Sequence, residues 1–412
     1  MNNYDEVDFA KVENGALAGR FVARFWQPIA LSTDLKKGRA KRVKLLGEHY
    51  TLYRGEDGGV RMTQDRCPHR GTMLYLGWVE GESIRCRYHG WKFDGAGQGE
   101  EFPAETASYA TKICLKVYPT REYLGAIFCY VGEGEPPEFP TFPEAEDESR
   151  GELVIQGVFL NYNFFQRIEN DHDESHIFFT HKLFFANYGL TKIPKVTAKE
   201  TDYGIVVVST RPDGKQRVGY GFMPNILMRE VPVPQDKTKM SLLLGWRVPV
   251  DDVTTYSVMA FRVGTYDKEL PKDGTYEDPA VIVERVMKGE ISLDDVDDNH
   301  PLLPIIQDTV SIGGQGRIAD RSNEHLGQSD KGIAVLRRVW ARELRAIHDG
   351  GPLKTFKRPA DFSFGKEIEG NYFNKISDVE GPAGIEGAGD KSDKAAIAVR
   401  VSGHNDGVSR PG

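Results

Sequence analysis

The sequence has too few basic residues and too few cysteines for two broad classes of protein. Its 53 Lys and Arg residues are outnumbered by 61 Asp and Glu residues, which gives a formal net charge of −8. A nucleic-acid-binding protein would show a basic excess, so we expect no nucleic-acid partner. Four cysteines in a chain of 412 residues do not make a disulfide scaffold.

Long apolar runs are also missing. The apolar stretches are short and interrupted by charged residues, so we expect no membrane-spanning helix and no membrane partner. The first residues, MNNYDEVDFAKVENG, lack the basic region and apolar run of a secretory signal. With 39% hydrophobic and 28% charged residues, the chain can build a packed core. We therefore expect a cytoplasmic enzyme that commits some of its cysteines to metal.

The residue pattern predicts four segments and an α+β fold. Residues 1–41 form a helical lead-in, expected to pack on the C-terminal domain. Residues 42–140 carry short β-rich runs between glycine-rich turns and predict a small all-β domain, closed by the proline-rich link GEPPEFPTFP. Residues 141–380 combine helical stretches with long alternating runs that predict a broad antiparallel sheet. Residues 381–412 are Gly-rich and polar, which predicts an extended tail.

The strongest motif pairs cysteine with histidine twice. Cys67-Pro-His69 is followed, after sixteen residues, by Cys86-Arg-Tyr-His89. A structural zinc site is one interpretation of two thiolates and two imidazoles. However, only one residue separates Cys67 from His69, and each loop offers one sulfur and one nitrogen. A two-iron cluster can use this set, with both thiolates on one iron and both imidazoles on the other.

The other two cysteines, Cys114 and Cys129, lie in strand-like runs without a histidine or cysteine at ligand spacing. We expect both to be small buried core residues.

A second cluster of metal-binding residue types lies in residues 169–181, where three of the ten histidines stand among carboxylates. A solvated helix face would have this composition, but the flanking runs NYNFF and IFFTHKLFF are apolar, and polar groups in such surroundings need partners. Two histidines and one carboxylate on one face of the metal are the ligands of non-haem iron oxygenases. Asp173 and His176 would share one helix face, whereas His181 requires the helix to distort or end.

Together these motifs resemble the Rieske non-haem iron aromatic oxygenases. RCPHRG and CRYHGWKF are similar to the two halves of the Rieske signature, and Asn170-x-x-Asp173-x-x-His176-x4-His181 is similar to the mononuclear-iron motif. The resemblance implies a [2Fe-2S] cluster on the first set of residues and Fe(II) on His176 and His181. It also implies that Asp173 links the iron site to His89 of a neighbouring subunit.

The resemblance places a third iron ligand, an aspartate, on a helix far downstream. Asp308 fits this position because Pro304 precedes it and isoleucines surround it in PLLPIIQDTVSI. Four other aspartates crowd the charged run ISLDDVDDNHP and are expected to be solvated. These alternatives are Asp294, Asp295, Asp297 and Asp298.

The two ends of the chain resemble the phthalate dioxygenase-like branch of this family, through RFWQPIALSTDL and QDTVSIGGQGRIADRSNEHLGQSDKGIAVLRR. That branch implies a catalytic domain with an antiparallel sheet around helices (helix-grip, START-like) and a homotrimer or a multiple of it. It also implies O2 as co-substrate, with electrons from NAD(P)H through a separate flavin and iron–sulfur reductase or a ferredoxin. Two alternatives to ring hydroxylation remain: O-demethylation of a methoxylated aromatic acid, and a Rieske electron-transfer protein without catalytic iron.

The substrate is expected to be a small aromatic molecule that carries a carboxylate. A carboxylate needs a basic anchor, and four arginines lie in the predicted sheet. Arg247, in LLLGWRVPV, would be the least stable of them if buried without a partner, so it is the predicted anchor. Asn170, at the start of the iron motif, is the second candidate for substrate contact.

Overall fold

The structure is a computed structural model that describes residues 8–182, 192–233, 236–263, 276–298, 300 and 302–367. The predicted tail, residues 381–412, lies outside the described residues. Within the described part, the strands form four antiparallel sheets and the helices lie mainly toward the C-terminus, so the fold is α+β as predicted. None of the described helices combines the length and apolarity that a bilayer crossing requires.

Three small sheets occupy the N-terminal part of the chain. Their strand orders are β1-β11-β10, β2-β3-β4-β9 and β5-β6-β7-β8. The strands are β1 (Gln27–Leu31), β2 (Arg39–Leu45), β3 (Glu48–Arg54), β4 (Val60–Gln64), β5 (Trp78–Glu80), β6 (Ser83–Arg85), β7 (Lys92–Phe93), β8 (Gly99–Glu101), β9 (Val117–Tyr118), β10 (Thr120–Tyr123) and β11 (Ala126–Cys129). Three short helices accompany them: α1 (Leu17–Val22), α2 (Ala107–Ala110) and α3 (Pro143–Glu146).

A larger sheet of seven strands follows, in the order β12-β18-β17-β16-β15-β14-β13. Its strands are β12 (Glu152–Leu160), β13 (Lys195–Glu200), β14 (Gly204–Thr210), β15 (Gln216–Phe222), β16 (Ile226–Val233), β17 (Asp236–Asp251) and β18 (Thr254–Val263). The longer helices are α4 (Phe164–Asp171), α5 (Pro279–Met287), α6 (Leu303–Gly313) and α7 (Lys331–Asp349).

Strand β17 shows how the large sheet is covered on both faces. Successive side chains of a strand point to opposite faces. Trp246 packs against Phe128 of β11, with ring centroids 5.4 Å apart, whereas the next residue, Arg247, bonds to Asp171 of α4. The sheet therefore lies between the N-terminal strands and helix α4, which explains why its central residues are buried on both faces.

The lead-in contains less helix than predicted. Its described part holds the six-residue helix α1 and then β1, which pairs with β11. Phe21 of α1 packs edge-on against Trp340 of α7, with ring centroids 4.9 Å apart, so this helix contacts the C-terminal part of the chain. The domain boundaries themselves stay a prediction.

The expectation for the two spare cysteines is half right. Cys129 is fully buried in β11. Cys114 is exposed, and its thiol donates to Gln98 Oε1 at 3.3 Å. The run KICLKVY forms a strand only at Val117–Tyr118, and Cys114 makes an isolated bridge before it. Cys114 therefore lies outside the regular strands, and its side chain is exposed.

Helix α7 approaches the segment after α4 so closely that its second residue must be glycine. A Cβ built on Gly332 would lie 2.2 Å from the backbone oxygen of His172. No rotamer change can relieve a clash with a backbone atom, so α7 or the His172 segment would have to shift. Gly313 at the end of α6 is a helical glycine without this constraint, since the nearest atom to its Cβ would be a Tyr162 ring carbon at 3.8 Å.

We predict that Gly332→Ala lowers the free energy of unfolding by about 1–3 kcal/mol, the usual cost of overpacking. Gly313→Ala is the matched control and should be neutral or stabilise by up to about 1 kcal/mol, because alanine favours helix. Denaturant unfolding of both variants measures the difference. Equal stability of the two variants would show that α7 is not held against His172.

Candidate metal centres

The first centre is built from two loops with the same backbone bonds. The Cys67 amide donates to Thr72 O and the Gly71 amide donates to Cys67 O. In the second loop the Cys86 amide donates to Trp91 O and the Gly90 amide to Cys86 O. Gly71 and Gly90 have φ values of 76° and 74°, in the left-handed region that favours glycine. The loops follow β4 and β6, and each presents one cysteine and one histidine.

The side chains of these loops pair by type. Cys67 and Cys86 are buried, and the Cys86 thiol beside Cys67 raises the pKa of Cys67. The same contact lowers the pKa of Cys86 to about 6. The His69 and His89 rings are exposed, with centroids 4.4 Å apart. Sulfur therefore faces sulfur and imidazole faces imidazole, which fits a two-iron cluster with one iron for each pair.

A stacked wall supports one of the two imidazoles. The His69 ring lies parallel to Trp91, with centroids 4.4 Å apart, and Trp91 in turn stacks on Phe102 at 3.8 Å. This wall fixes the ring plane of His69 while its edge remains exposed. Trp91, the tryptophan of the CRYHGWKF run, thus supports the histidine of the first loop.

The second centre brings His176, His181 and Asp308 together. One ligand atom from each of the three side chains lies within 4.8 Å of the other two. Asp308 Oδ1 is 3.0 Å from His181 Nε2 and 3.6 Å from His176 Nε2. Asp308 comes from α6, and the histidines come from the segment after α4. Within the described ranges, no other group of three or more His, Cys, Asp or Glu side chains meets this spacing.

Helix α4 ends at Asp171, so the expectation that Asp173 and His176 share a helix face is wrong. Asp173 Oδ1 instead accepts the backbone N–H of Ser175 at 2.8 Å and that of His176 at 3.3 Å. These bonds cap a short 3-10 turn, His176–Phe178. The turn is what allows two histidines five positions apart to face one carboxylate.

Each histidine of this centre has an oxygen atom on its far side. Gln307 Oε1 lies 2.9 Å from His181 Nδ1, and Asp173 Oδ2 lies 3.7 Å from His176 Nδ1. A proton held at Nδ1 leaves Nε2 with its lone pair toward Asp308, which is the tautomer a metal needs. Gln307 was missed by the sequence reasoning, because a glutamine beside an aspartate on a helix carries no signal of its own.

The charges of the centre suit a divalent metal. Burial alone would raise the pKa of Asp308, but the His181 contact and the Arg167 charge outweigh it and hold that pKa well below its usual range. Burial lowers the pKa of His176. The site therefore offers an ionised carboxylate and a neutral imidazole, the forms that bind metal. The alternative aspartates Asp294, Asp295, Asp297 and Asp298 are exposed and are not part of this group.

Arg247 has no exposed surface and is fully engaged inside the protein. Its Nε and Nη2 bond to the two carboxylate oxygens of Asp171 at 2.6 and 3.0 Å, and its Nη1 donates to Ser257 Oγ at 2.5 Å. This placement does not support the substrate-anchor role predicted for Arg247. Asn170 accepts a hydrogen bond from Arg167, one turn earlier on α4.

A cavity adjoins the second centre. Asp308 and Arg167 form its polar side, with Ser257 and Thr309 nearby. The rest of its lining is Val158, Leu160, Tyr162, Met259 and Ile305. Its mostly apolar walls and few convergent polar groups have the composition of a small-molecule site.

Comparison with known proteins assigns the first centre. A family model described as the Rieske [2Fe-2S] domain matches residues 25–119. These residues contain both Cys-His loops, so the zinc alternative is set aside. The fold also resembles solved structures: NdmA of Pseudomonas putida CBB5 matches with a TM-score of 0.61 at 23% identity, covering 83% of this chain and 98% of that one. The carbazole 1,9a-dioxygenase oxygenase, solved in complex with ferredoxin, matches with a TM-score of 0.59 at 20% identity, covering 82% of this chain and 98% of that one.

Two curated relatives match over most of both chains. The phenoxybenzoate dioxygenase subunit alpha of Ectopseudomonas oleovorans is 31% identical over 373 residues, which cover 84% of this chain and 87% of the relative. The 5,5'-dehydrodivanillate O-demethylase oxygenase subunit of a Sphingobium strain is 29% identical over 368 residues, 85% of this chain and 82% of the relative. Both relatives are oxygenase subunits. The alternative of a Rieske electron-transfer protein without catalytic iron is therefore set aside. The chain thus belongs to the Rieske-type terminal oxygenase subunits.

Proposed function

We propose that this oxygenase hydroxylates a small aromatic substrate, carrying a carboxylate, in the cavity beside Asp308. Two histidines and one carboxylate converge at the edge of a cavity with largely apolar walls, and this arrangement supports the proposal. Cys67 and Cys86 would hold one iron of a [2Fe-2S] cluster, and His69 and His89 the other. His176, His181 and Asp308 would hold Fe(II). When bound, the cluster supplies single electrons and the mononuclear metal provides open positions for O2.

The protein's own residues orient the second centre and limit access to it. Gln307 would fix the His181 ring through its Nδ1 atom, whereas Asp173 Oδ2 faces His176 Nδ1 at 3.7 Å, beyond hydrogen-bond distance. His181 is only 4% exposed, and apolar side chains form most of the cavity wall. Water is therefore restricted, which favours reaction with the bound substrate over side reactions.

Asp173 is also the residue through which a neighbouring subunit would connect. Its side chain is 25% exposed, so it can meet a ring from outside as well as His176 from inside. His89 is exposed on the surface of the first centre and could supply that ring from another copy. A closed ring of identical subunits, a homotrimer or a multiple of it, would give every Asp173 such a partner.

The electron source is proposed to be NAD(P)H, through a separate reductase or a ferredoxin. The structurally similar carbazole 1,9a-dioxygenase oxygenase was solved with ferredoxin, which supports a carrier protein as partner. The exposed edges of His69 and His89 support the same partner, because electrons must enter the cluster at a surface.

O-demethylation of a methoxylated aromatic acid is the second candidate reaction. The similarity to the dehydrodivanillate O-demethylase subunit favours it, whereas the similarity to the phenoxybenzoate dioxygenase subunit favours ring hydroxylation. The two reactions differ in their products, since demethylation releases formaldehyde.

We predict O2 uptake that depends on an aromatic acid when the purified protein is supplied with NADH and a matching reductase. Screening unsubstituted and methoxylated aromatic acids, with formaldehyde assayed in parallel, separates the two reactions. Uptake without formaldehyde indicates ring hydroxylation, and equimolar formaldehyde indicates demethylation. NADH oxidation without any aromatic-dependent uptake, in protein with all its iron, would contradict the proposed function.

Iron content tests the two centres separately. We predict about three irons per chain, two in the cluster and one mononuclear, without stoichiometric zinc. Cys86→Ala should lose the cluster absorption and retain about one iron, and Asp308→Ala should keep the absorption and retain about two. Elemental analysis with visible spectra measures both.

Gln307→Leu is the milder variant, because it keeps all three ligands and removes only the oxygen behind His181. We expect its mononuclear metal affinity to fall by about 10- to 100-fold, as for other partners of metal-bound histidines.

If the Asp308→Ala variant retains its mononuclear iron, Asp308 is not the third ligand. One of the aspartates in the Asp294–Asp298 group would then be the better candidate.

Asp173→Asn tests the proposed link between the centres. Asparagine caps a turn as well as aspartate, so the turn at His176–Phe178 should survive. It loses the charge and the capacity to accept from two rings at once. We expect the variant to keep its cluster and much of its iron, and to lose turnover by a large factor. Stopped-flow reoxidation of the reduced cluster, with substrate and O2, measures this electron transfer directly. A near-normal rate would show that Asp173 only caps the turn and does not link the centres.

Mixed oligomers test whether electrons pass from the cluster to the mononuclear site of a neighbouring subunit or within one subunit. Cys86→Ala chains lack the cluster but keep Asp173, and Asp173→Asn chains keep the cluster. Each should be nearly inactive alone. Co-assembled, the cluster of one chain can serve the intact iron site of the next, so activity should partly return. No recovery in oligomers shown to contain both chains would argue for a path within one chain.

A further inference from the structure

We propose that Arg167 binds the anionic group of the substrate, a carboxylate, through its Nε and Nη2 edge. The proposal deepens the proposed function, since it assumes that the cavity beside Asp308 holds the substrate. It assigns the anchor to a helix residue that the sequence pattern did not single out.

The contacts of Arg167 use only one of its three nitrogen atoms. Nη1 donates to Asn170 Oδ1, lies 3.2 Å from Asp171 Oδ1 and lies 3.7 Å from Asp308 Oδ2. Nε and Nη2 donate no hydrogen bond to the residues that the structure describes. These atoms form the edge of the guanidinium that matches the two oxygens of a carboxylate.

The other buried arginines near the centre do not line the cavity, although the Nε atoms of Arg217 and Arg229 also lack a hydrogen-bond partner. Arg247 gives both Nε and Nη2 to Asp171. Arg217 and Arg229 share one carboxylate, that of Glu174, at 2.9 and 3.3 Å. Arg167 differs from them because it lines the cavity and makes its hydrogen bond through Nη1 alone.

The remaining walls specify the rest of the ligand. Val158, Leu160, Met259 and Ile305 are apolar and line the same cavity. A ligand that satisfies both parts has an apolar body and one carboxylate, which describes an aromatic acid. Its neutral amide has the same shape but cannot form the charge-assisted pair.

Binding of benzoate and benzamide to the full-length protein tests the proposal without turnover. Isothermal titration should show a preference for benzoate of roughly tenfold or more in the wild type. Arg167→Gln should remove that preference, mainly by weakening benzoate. Met259→Leu is the matched control, since it alters the same cavity without changing its charge, and should leave the ratio of the two affinities unchanged.

Arg167→Lys keeps the proposal testable if the glutamine variant does not fold, because it retains a positive charge beside Asp171 and Asp308. A lysine lacks the planar fork, so the preference should fall several-fold in a protein with normal cluster absorption. A wild type without preference for benzoate, or an unchanged preference in a folded Arg167 variant, would overturn the assignment.

The two proposals fail in different ways. Substrate-dependent O2 uptake with neutral aromatics, together with no benzoate preference, would reject Arg167 as anchor and leave the oxygenase function standing. A benzoate preference that depends on Arg167, in a protein with all its iron but without aromatic-dependent uptake, would reject the proposed reaction and leave the anchor standing.

Discussion

The buried ion pair between Asp171 and Arg247 connects the large sheet to the segment that carries His176 and His181. Asp171 is the last residue of α4, and Arg247 reaches it from the middle of β17 with two bonds. Arg229 of β16 also binds the backbone oxygen of Asp171, a carbonyl at the end of the helix. Breaking a buried pair of this kind by removing one partner costs about 3–5 kcal/mol, because the other charge stays buried. The end of α4, and with it the turn that presents the histidines, is therefore fixed by the sheet.

This dependence explains which features could be predicted from the sequence. The Cys-His spacing, the glycines after it and the position of Asp308 are local or short-range patterns, and the structure brings Asp308 to both histidines. The end of α4 could not be predicted, because the arginines that hold it come from strands 58 and 76 residues away. The same reason separates Arg247 from Arg167. Only the fold shows that Arg247 gives its Nε and Nη2 to Asp171, whereas Arg167 contacts Asp171 through Nη1 and lines the cavity.

The two centres differ in exposure in a way that matches their chemistry. His69 and His89 lie at the surface, where an electron donor can approach, while the two thiolates of the same centre are buried. At the second centre His181 is buried and the neighbouring cavity is largely apolar, so reactive groups are kept from water. The exposure of Asp173 is intermediate between that of the two centres, since its side chain is partly exposed and also faces His176. A residue in that position can couple a surface electron source to a shielded site.

The buried charges around the second centre act as one unit rather than as separate pairs. Arg167 contacts both Asp171, which ends α4, and Asp308, which faces the histidines. The positive charge on Arg167 lowers the pKa of both carboxylates against the opposing effect of burial. An anion bound to the same guanidinium would share that charge, so occupancy of the cavity would be felt at Asp308 without any movement of the backbone. A direct electrostatic path thus runs from the proposed substrate cavity to Asp308, the proposed third metal ligand.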